Sequence, residues 1–149
     1  MVKSGLDDAL LQTPGAVPRV SQYRLAAHLS SAFVIYGLML STGLKILWRP
    51  LPAIPSLRSF YLATHVAATV LFLTIISGAF VAGLDAGLIY NEFPRMGEGL
   101  IPSDMWALSD GSIQGQKVKP RWKNFFENPS TVQFDHRLFV SLILLFSIS

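Results

Sequence analysis

The chain has 149 residues, 51% hydrophobic and only 14% charged, where soluble domains carry about 25% charged residues; that deficit excludes an ordinary soluble domain and points to a membrane protein. Its net charge of +3 comes without a basic stripe interleaved with aromatics, so nucleic acid is not an expected partner. The absence of cysteine rules out disulfides, thiolate catalysis and cysteine-held zinc or iron–sulfur centres.

Residues 1–22 are polar, with Gly5, Pro14, Gly15, Pro18 and the acid pair Asp7-Asp8, and read as a loop. Polar sequence follows Met1, so no signal or transit peptide is expected. Ser21 is placed to cap the next helix, and Tyr23 and Arg24 suit a membrane interface. The predicted helix covers 23–47. Within it Leu25 to Leu44 carries no Asp, Glu, Lys or Arg and is long enough to span a bilayer. Lys45 to Arg58 is a short loop with Lys45, Arg49 and Arg58 but no acid, which points to the inner side of the membrane.

A second span is predicted over 59–84. Its Ala79 and Gly83 make a small-xxx-small pair suited to close helix packing. Residues 85–127 form a long loop, a length that is usually functional or disordered. Its acids Asp85, Glu92 and Glu98 read as solvated charges. Ile101 to Trp106 suggests a short interfacial turn, and 109–123 its most mobile stretch. Asn128 then offers a side-chain cap, and Pro129 suits the first helical position. The helix 129–149 begins with Gln133, Asp135, His136 and Arg137 and continues without charge. From Leu138 to Ser149 the apolar run falls short of the roughly 20 residues a span requires, so a truncated third helix is expected. The fold class is therefore all-α: an integral membrane bundle of two complete transmembrane helices and the start of a third.

Three histidines, His28, His65 and His136, lie near the starts of the three helices. Successive spans are antiparallel, so His28 and His136 share one side of the membrane and His65 takes the other. Ionisable groups at such positions are expensive in lipid and are often functional. Neutral imidazole is a good haem ligand, and haem propionates favour arginine at the surface. Arg24 lies one turn before His28 on the same face. Arg137 is adjacent to His136, points about 100° away around the helix, and reaches a propionate by snorkelling. Each histidine is also readable as an interfacial polar residue and each arginine as an anchor. No Ser-His-Asp set, phosphate loop or dinucleotide fingerprint is present.

Five segments carry a family resemblance: Met-Val-Lys-Ser-Gly-Leu (1–6), Pro-Arg-Val-Ser-Gln-Tyr-Arg-Leu-Ala-Ala-His (18–28), Ser-Gly-Ala-Phe-Val-Ala-Gly-Leu-Asp-Ala-Gly (77–87), Asn-Glu-Phe-Pro-Arg-Met-Gly-Glu (91–98) and Phe-Glu-Asn-Pro-Ser-Thr-Val-Gln-Phe-Asp-His-Arg (126–137). In these the chain resembles haem A synthases of the Cox15/CtaA family, with Phe-Pro-Arg-Met-Gly-Glu leaning to the mitochondrial type. The resemblance implies an eight-helix fold in two pseudo-symmetric halves, of which this chain would be the middle. It implies oxidation of the C8 methyl of haem O to the formyl of haem A, in the mitochondrial inner membrane. It makes His28 a haem-iron ligand on the haem O substrate side and His136 a ligand of a haem b, two different haems. Arg24 and Arg137 become propionate contacts, and His65 matches no ligand. The family's Glu-x-x-His-Arg motif is absent, so no catalytic residue is expected here; Gln133-x-x-His136-Arg137 looks like its pseudo-repeat. Implied partners are haem O and haem A, lipid, and either oxidase-assembly proteins or a second copy of the chain. Alternatives from the residues themselves are a non-catalytic haem-binding or electron-transfer module, with His28 and His136 on one iron, and a truncated oxidase-assembly protein.

Overall fold

The structure, a computed structural model, describes residues 20–48, 55–111 and 117–148. The loop expected over 1–22 falls almost wholly outside these residues, as do Arg49 and the first prolines of the basic loop. Among the described residues four helices follow in order: α1 (Gln22–Leu47), α2 (Arg58–Gly83), the short α3 (Asn124–Glu127) and α4 (Pro129–Ile148). Single 3-10 turns lie at Pro55–Leu57, Ala86–Leu88 and Arg121–Lys123. The predicted helix boundaries agree to within a residue. Helices α1 and α2 are both long and apolar enough to cross a membrane.

Helix α2 sits between the other two, packing on α1 along one side and on α4 along the other. Its small residues explain how. A Cβ added at Gly83 would come within 2.6 Å of the Gln22 Cα, so the last turn of α2 meets the backbone of the first turn of α1. Ala79, the other small residue of the predicted pair, is buried. Close approach of this kind replaces the hydrophobic drive that lipid cannot supply. Phe33 and Phe72, with ring centroids 6.0 Å apart, continue the α1–α2 contact along the helices.

An aromatic cluster marks one end of the bundle. Phe80 near the end of α2 meets Tyr23 at the start of α1 edge-on at 5.7 Å, and Phe126 of α3 at 5.4 Å. Tyr23 also donates to Glu127 Oε1 at 3.1 Å. The starts of α1 and α4 are therefore together, and the start of α2, with His65, is at the opposite end. Ser21 precedes α1, but its side chain makes no capping bond; its carbonyl accepts from Leu25 N–H at 3.0 Å.

Burial is concentrated away from the spans. Helices α1 and α2 bury only Ala26 and Ala79 respectively. Asn124, Asn128, Ser130, Thr131, Val132 and Gln133 are all buried, with Met96, Leu108 and Ala86 from the long loop. That loop is a folded cap on the start of α4. Asp85, at φ +49°, turns the chain after α2, a conformation that Asp tolerates better than most residues. The expected turn at 101–106 forms, with bonds from Met105 N to Pro102 O and from Ala107 N to Asp104 O. Of the stretch expected to be most mobile, 112–116 lie outside the described residues. Its described flank is tied down: Lys119 N–H bonds Leu108 O at 2.8 Å, and Lys119 Nζ pairs with Glu127 at 2.8 Å. Glu92 and Glu98 are exposed, as solvated loop charges should be.

Candidate functional site

Helix α4 starts as its first residues predict. Asn128 Oδ1 accepts from Ser130 N–H at 3.0 Å, satisfying an otherwise orphaned donor, and Pro129 needs no partner for a missing N–H. The same side chain does more than cap. Its Nδ2 donates to the carbonyls of Asp104 at 2.8 Å and Met105 at 3.1 Å. Thr131 Oγ1 also donates to Met105 O, at 2.6 Å. Asp104 accepts from Tyr90 at 2.9 Å and from the Ser130 hydroxyl. Asn124, wholly buried, uses both ends of its amide: Oδ1 accepts from Leu108 N–H, and Nδ2 donates to Ser109 Oγ and Arg121 O. Buried polar groups are tolerable when satisfied this fully.

The electrostatics of this cap follow the same pattern. Partial burial, and then the bond to Asp104, holds the Tyr90 phenol above its ordinary pKa. The hydrogen bond from Lys119 pulls the Glu127 carboxyl below the usual carboxylate value, against the opposing effect of its burial.

The three residues singled out on α4 go to different places. Gln133 is buried and its Nε2 donates to Tyr90 O at 2.7 Å, while its Oε1 has no hydrogen-bond partner among the described residues. Arg137 donates from Nη2 to Tyr90 O at 2.8 Å and from Nη1 to Arg95 O at 3.1 Å, and its guanidinium lies over the Phe93 ring. The long loop thus holds this arginine in a fixed fork rather than leaving it to snorkel. Its remaining N–H groups are the ones available to an anion.

His136 turns toward α2. Its Nδ1 lies 2.8 Å from Ser77 Oγ, and a Cβ at Gly78 would stand 3.3 Å from its Cε1. Glycine at that position lets the ring come close to α2. No hydrogen bond to Nε2 is found among the described residues.

His28 is exposed on α1. Ala26 is buried and Leu25, Leu29 and Ser30 are half-buried, whereas Ala27, His28 and Ser31 are exposed; the imidazole is on the face turned away from α2. The antiparallel register set by Gln22 on Gly83 and Phe33 beside Phe72 brings His28 level with Ser77. His28 and His136 therefore lie at one depth, flanking α2, roughly 10 Å into their helices at 1.5 Å per residue. Arg24 is exposed one turn nearer the membrane surface. His65 is exposed at the other end, its Nδ1 bonded to Tyr61 O at 2.7 Å.

A cavity of about 450 Å³ opens between α2, α3 and α4, walled by Leu73, Phe80, Phe126 and Phe139, with Ser77 and Asp135 as its polar groups. Ser77 and this cavity were not legible in the sequence, because the elements that form them are far apart in the chain. Asp135 carried a signal: an acid at the lip of an apolar helix is costly unless it is used. Among the described residues no group of three or more His, Cys, Asp or Glu could hold a bare metal ion. A donor set of isolated histidines, each beside an arginine and apolar surface, fits a haem, whose porphyrin supplies the remaining ligands.

Comparison with known proteins gives the same direction. The chain is 50% identical over 140 residues to Heme A synthase COX15 of Homo sapiens, a match covering 93% of this chain and 31% of that protein. It is 43% identical to Heme A synthase COX15 of Saccharomyces cerevisiae, covering 92% of this chain and 31% of that protein. It is also 43% identical to the Heme A synthase of the bacterium Nitrosospira multiformis, covering 93% of this chain and 34% of that protein. The chain thus spans about a third of the length of these relatives. No solved structure matches it. The COX15-CtaA family, described as cytochrome oxidase assembly protein, matches across residues 1–149, and the chain belongs to that family.

Proposed function

We propose that this chain contributes one haem-ligating helix to each of the two halves of a haem A synthase. His28 on α1 is the ligand on the haem O substrate side, and His136 on α4 is a ligand of haem b. The observation that carries the reading is the placement of these two histidines at one depth on opposite flanks of α2, His28 exposed and His136 with an unpartnered Nε2. Two sites side by side, rather than one iron shared between them, suit a helix that stands between the two ligands. The relatives named heme A synthase support the reaction.

When bound, haem b supplies the redox chemistry by which the C8 methyl of haem O becomes the formyl of haem A. This chain's residues bind, orient and shield. The Tyr90 and Arg95 carbonyls fix the Arg137 guanidinium beside His136, where its free N–H groups meet a propionate. Arg24, one turn before His28, is the propionate contact on that side. The capped start of α4 and the apolar cavity beside it keep water from the ligand helix. Gln133 takes the place that glutamate holds in the family's Glu-x-x-His-Arg motif, so this chain carries binding residues and no catalytic acid. The setting is the mitochondrial inner membrane, crossed more than once, with lipid, other oxidase-assembly proteins or a second copy as neighbours.

The test is made in the full-length synthase that carries this chain. His136→Ala is expected to remove the reduced haem b absorbance. His28→Ala is expected to keep that absorbance and abolish conversion of haem O. An unchanged reduced-haem spectrum in His136→Ala overturns the assignment.

A further inference from the structure

We infer that Ser77 is a positioning residue for His136: it holds the imidazole in the Nδ1–H tautomer and thereby presents Nε2 as the iron-binding nitrogen. This rests on the reading of His136 as a haem ligand. Only the Nδ1–H tautomer lets both contacts of the Ser77 hydroxyl be hydrogen bonds at once. A serine hydroxyl has one proton, and that of Ser77 is given to the Thr74 carbonyl at 2.8 Å. The Oγ lone pairs then face His136 Nδ1 at 2.8 Å, so the ring nitrogen is the donor. In neutral imidazole the other nitrogen is then unprotonated.

The packing closes the remaining freedom. With no side chain at Gly78, the ring rests against α2, and any Cβ there would press on Cε1 at 3.3 Å. Ser77 and Gly78 thus set tautomer and ring plane together. Histidines that bind metals commonly donate their second N–H in this way, which orients the ring and raises the basicity of the ligating nitrogen.

The experiment compares Ser77→Ala, Ser77→Thr, Ser77→Cys and His136→Ala in the full-length synthase, purified with its haem. Three quantities are read: haem retained per polypeptide, the midpoint potential of the haem b, and its low-spin electron paramagnetic resonance signal. Loss of an outer-shell partner costs about 10–100-fold in metal affinity, so Ser77→Ala is expected to lose haem about tenfold more readily. Its midpoint potential rises, because a less basic imidazole stabilises the oxidised iron less. Ser77→Thr keeps the hydroxyl and stays near the parent protein in all three readouts. Ser77→Cys, nearly the same size with a weaker acceptor, falls between, and it carries the test should Ser77→Ala fail to accumulate. A parent-like potential and haem retention in both Ser77→Ala and Ser77→Cys, with haem lost in His136→Ala, overturns the role of Ser77 and leaves the ligand intact. Retention of the haem b signal in His136→Ala overturns the ligand reading and the role of Ser77 with it.

Discussion

Helices α1 and α2 leave Leu38, Met39, Ile46 and Leu62 more than 60% exposed, whereas the first turns of α4 bury Ser130, Thr131 and Gln133. One region turns hydrocarbon outward and the other turns hydrogen-bonding groups inward. The difference follows from the surroundings of each. Within lipid a helix satisfies its own backbone and has no water to expel, so it associates through small residues that let backbones approach. At the membrane edge an irregular loop brings backbone carbonyls that no regular ladder satisfies. Asn124, Asn128, Thr131 and Gln133 supply donors to those carbonyls, which is why polar side chains form the best-buried part of the chain. His136 stands where the two regions meet, against the apolar α2 and one turn from the polar cap.

Breaking the cap gives the largest expected change. Asn128→Ala removes the helix cap, worth about 0.5–2 kcal/mol, and takes one donor from each of the Asp104 and Met105 carbonyls, at about 0.5–1.5 kcal/mol per hydrogen bond lost. The expected loss is about 2–4 kcal/mol, seen as rapid proteolytic cleavage within 85–127 while α1 and α2 stay protected. Equal protease resistance in the parent and the variant would show that the loop is held some other way.

The helix contact should respond next. Gly83→Leu forces a side chain into the Gln22 backbone, and overpacking of this kind costs about 1–3 kcal/mol. Lower thermal stability of the detergent-solubilised protein is expected, with the Asn128 cap intact. Gly37 has open space around it, so Gly37→Ala serves as the neutral control. Equal melting of Gly83→Leu and Gly37→Ala would remove the close approach from the account.

The smallest effect is electrostatic and sharpens the boundary between the regions. Hydrogen bonding from Lys119 depresses the Glu127 pKa in the folded chain. A depressed carboxylate pKa stabilises the fold above the unfolded value and loses that contribution as pH falls through the folded value. Lys119 is partly exposed, so the pair contributes about 1 kcal/mol or less. Protease sensitivity of the 117–127 strap is expected to rise as the medium is taken below the usual carboxylate range. In Glu127→Gln that acid dependence disappears, and its persistence there would assign it to another group.

Several features were legible because they depend on local chemistry alone. The charge-free runs located α1 and α2, since about 20 apolar residues are what a bilayer requires. Asn128-Pro129 marked the start of α4 because a cap and a proline are satisfied by their immediate neighbours. Alternation of helix direction placed His28 and His136 at one end and His65 at the other. The loop misled in one respect: Lys119 and Arg121 look like solvated polar sequence, yet Lys119 is paired with Glu127 and the Arg121 carbonyl takes a bond from Asn124.

The sequence by itself determined that the chain enters lipid, where its helices run, and which histidines and arginines stand at their lips, because hydropathy and capping act over one or two turns. Only the tertiary structure decided that Arg137 is clamped by the Tyr90 and Arg95 carbonyls, that α2 separates the two histidines, and that Ser77 holds Nδ1 of His136. Those outcomes join residues some forty to sixty positions apart, and although Ala79 and Gly83 mark a packing face in the chain, nothing local says which helix or loop residue will meet a given side chain.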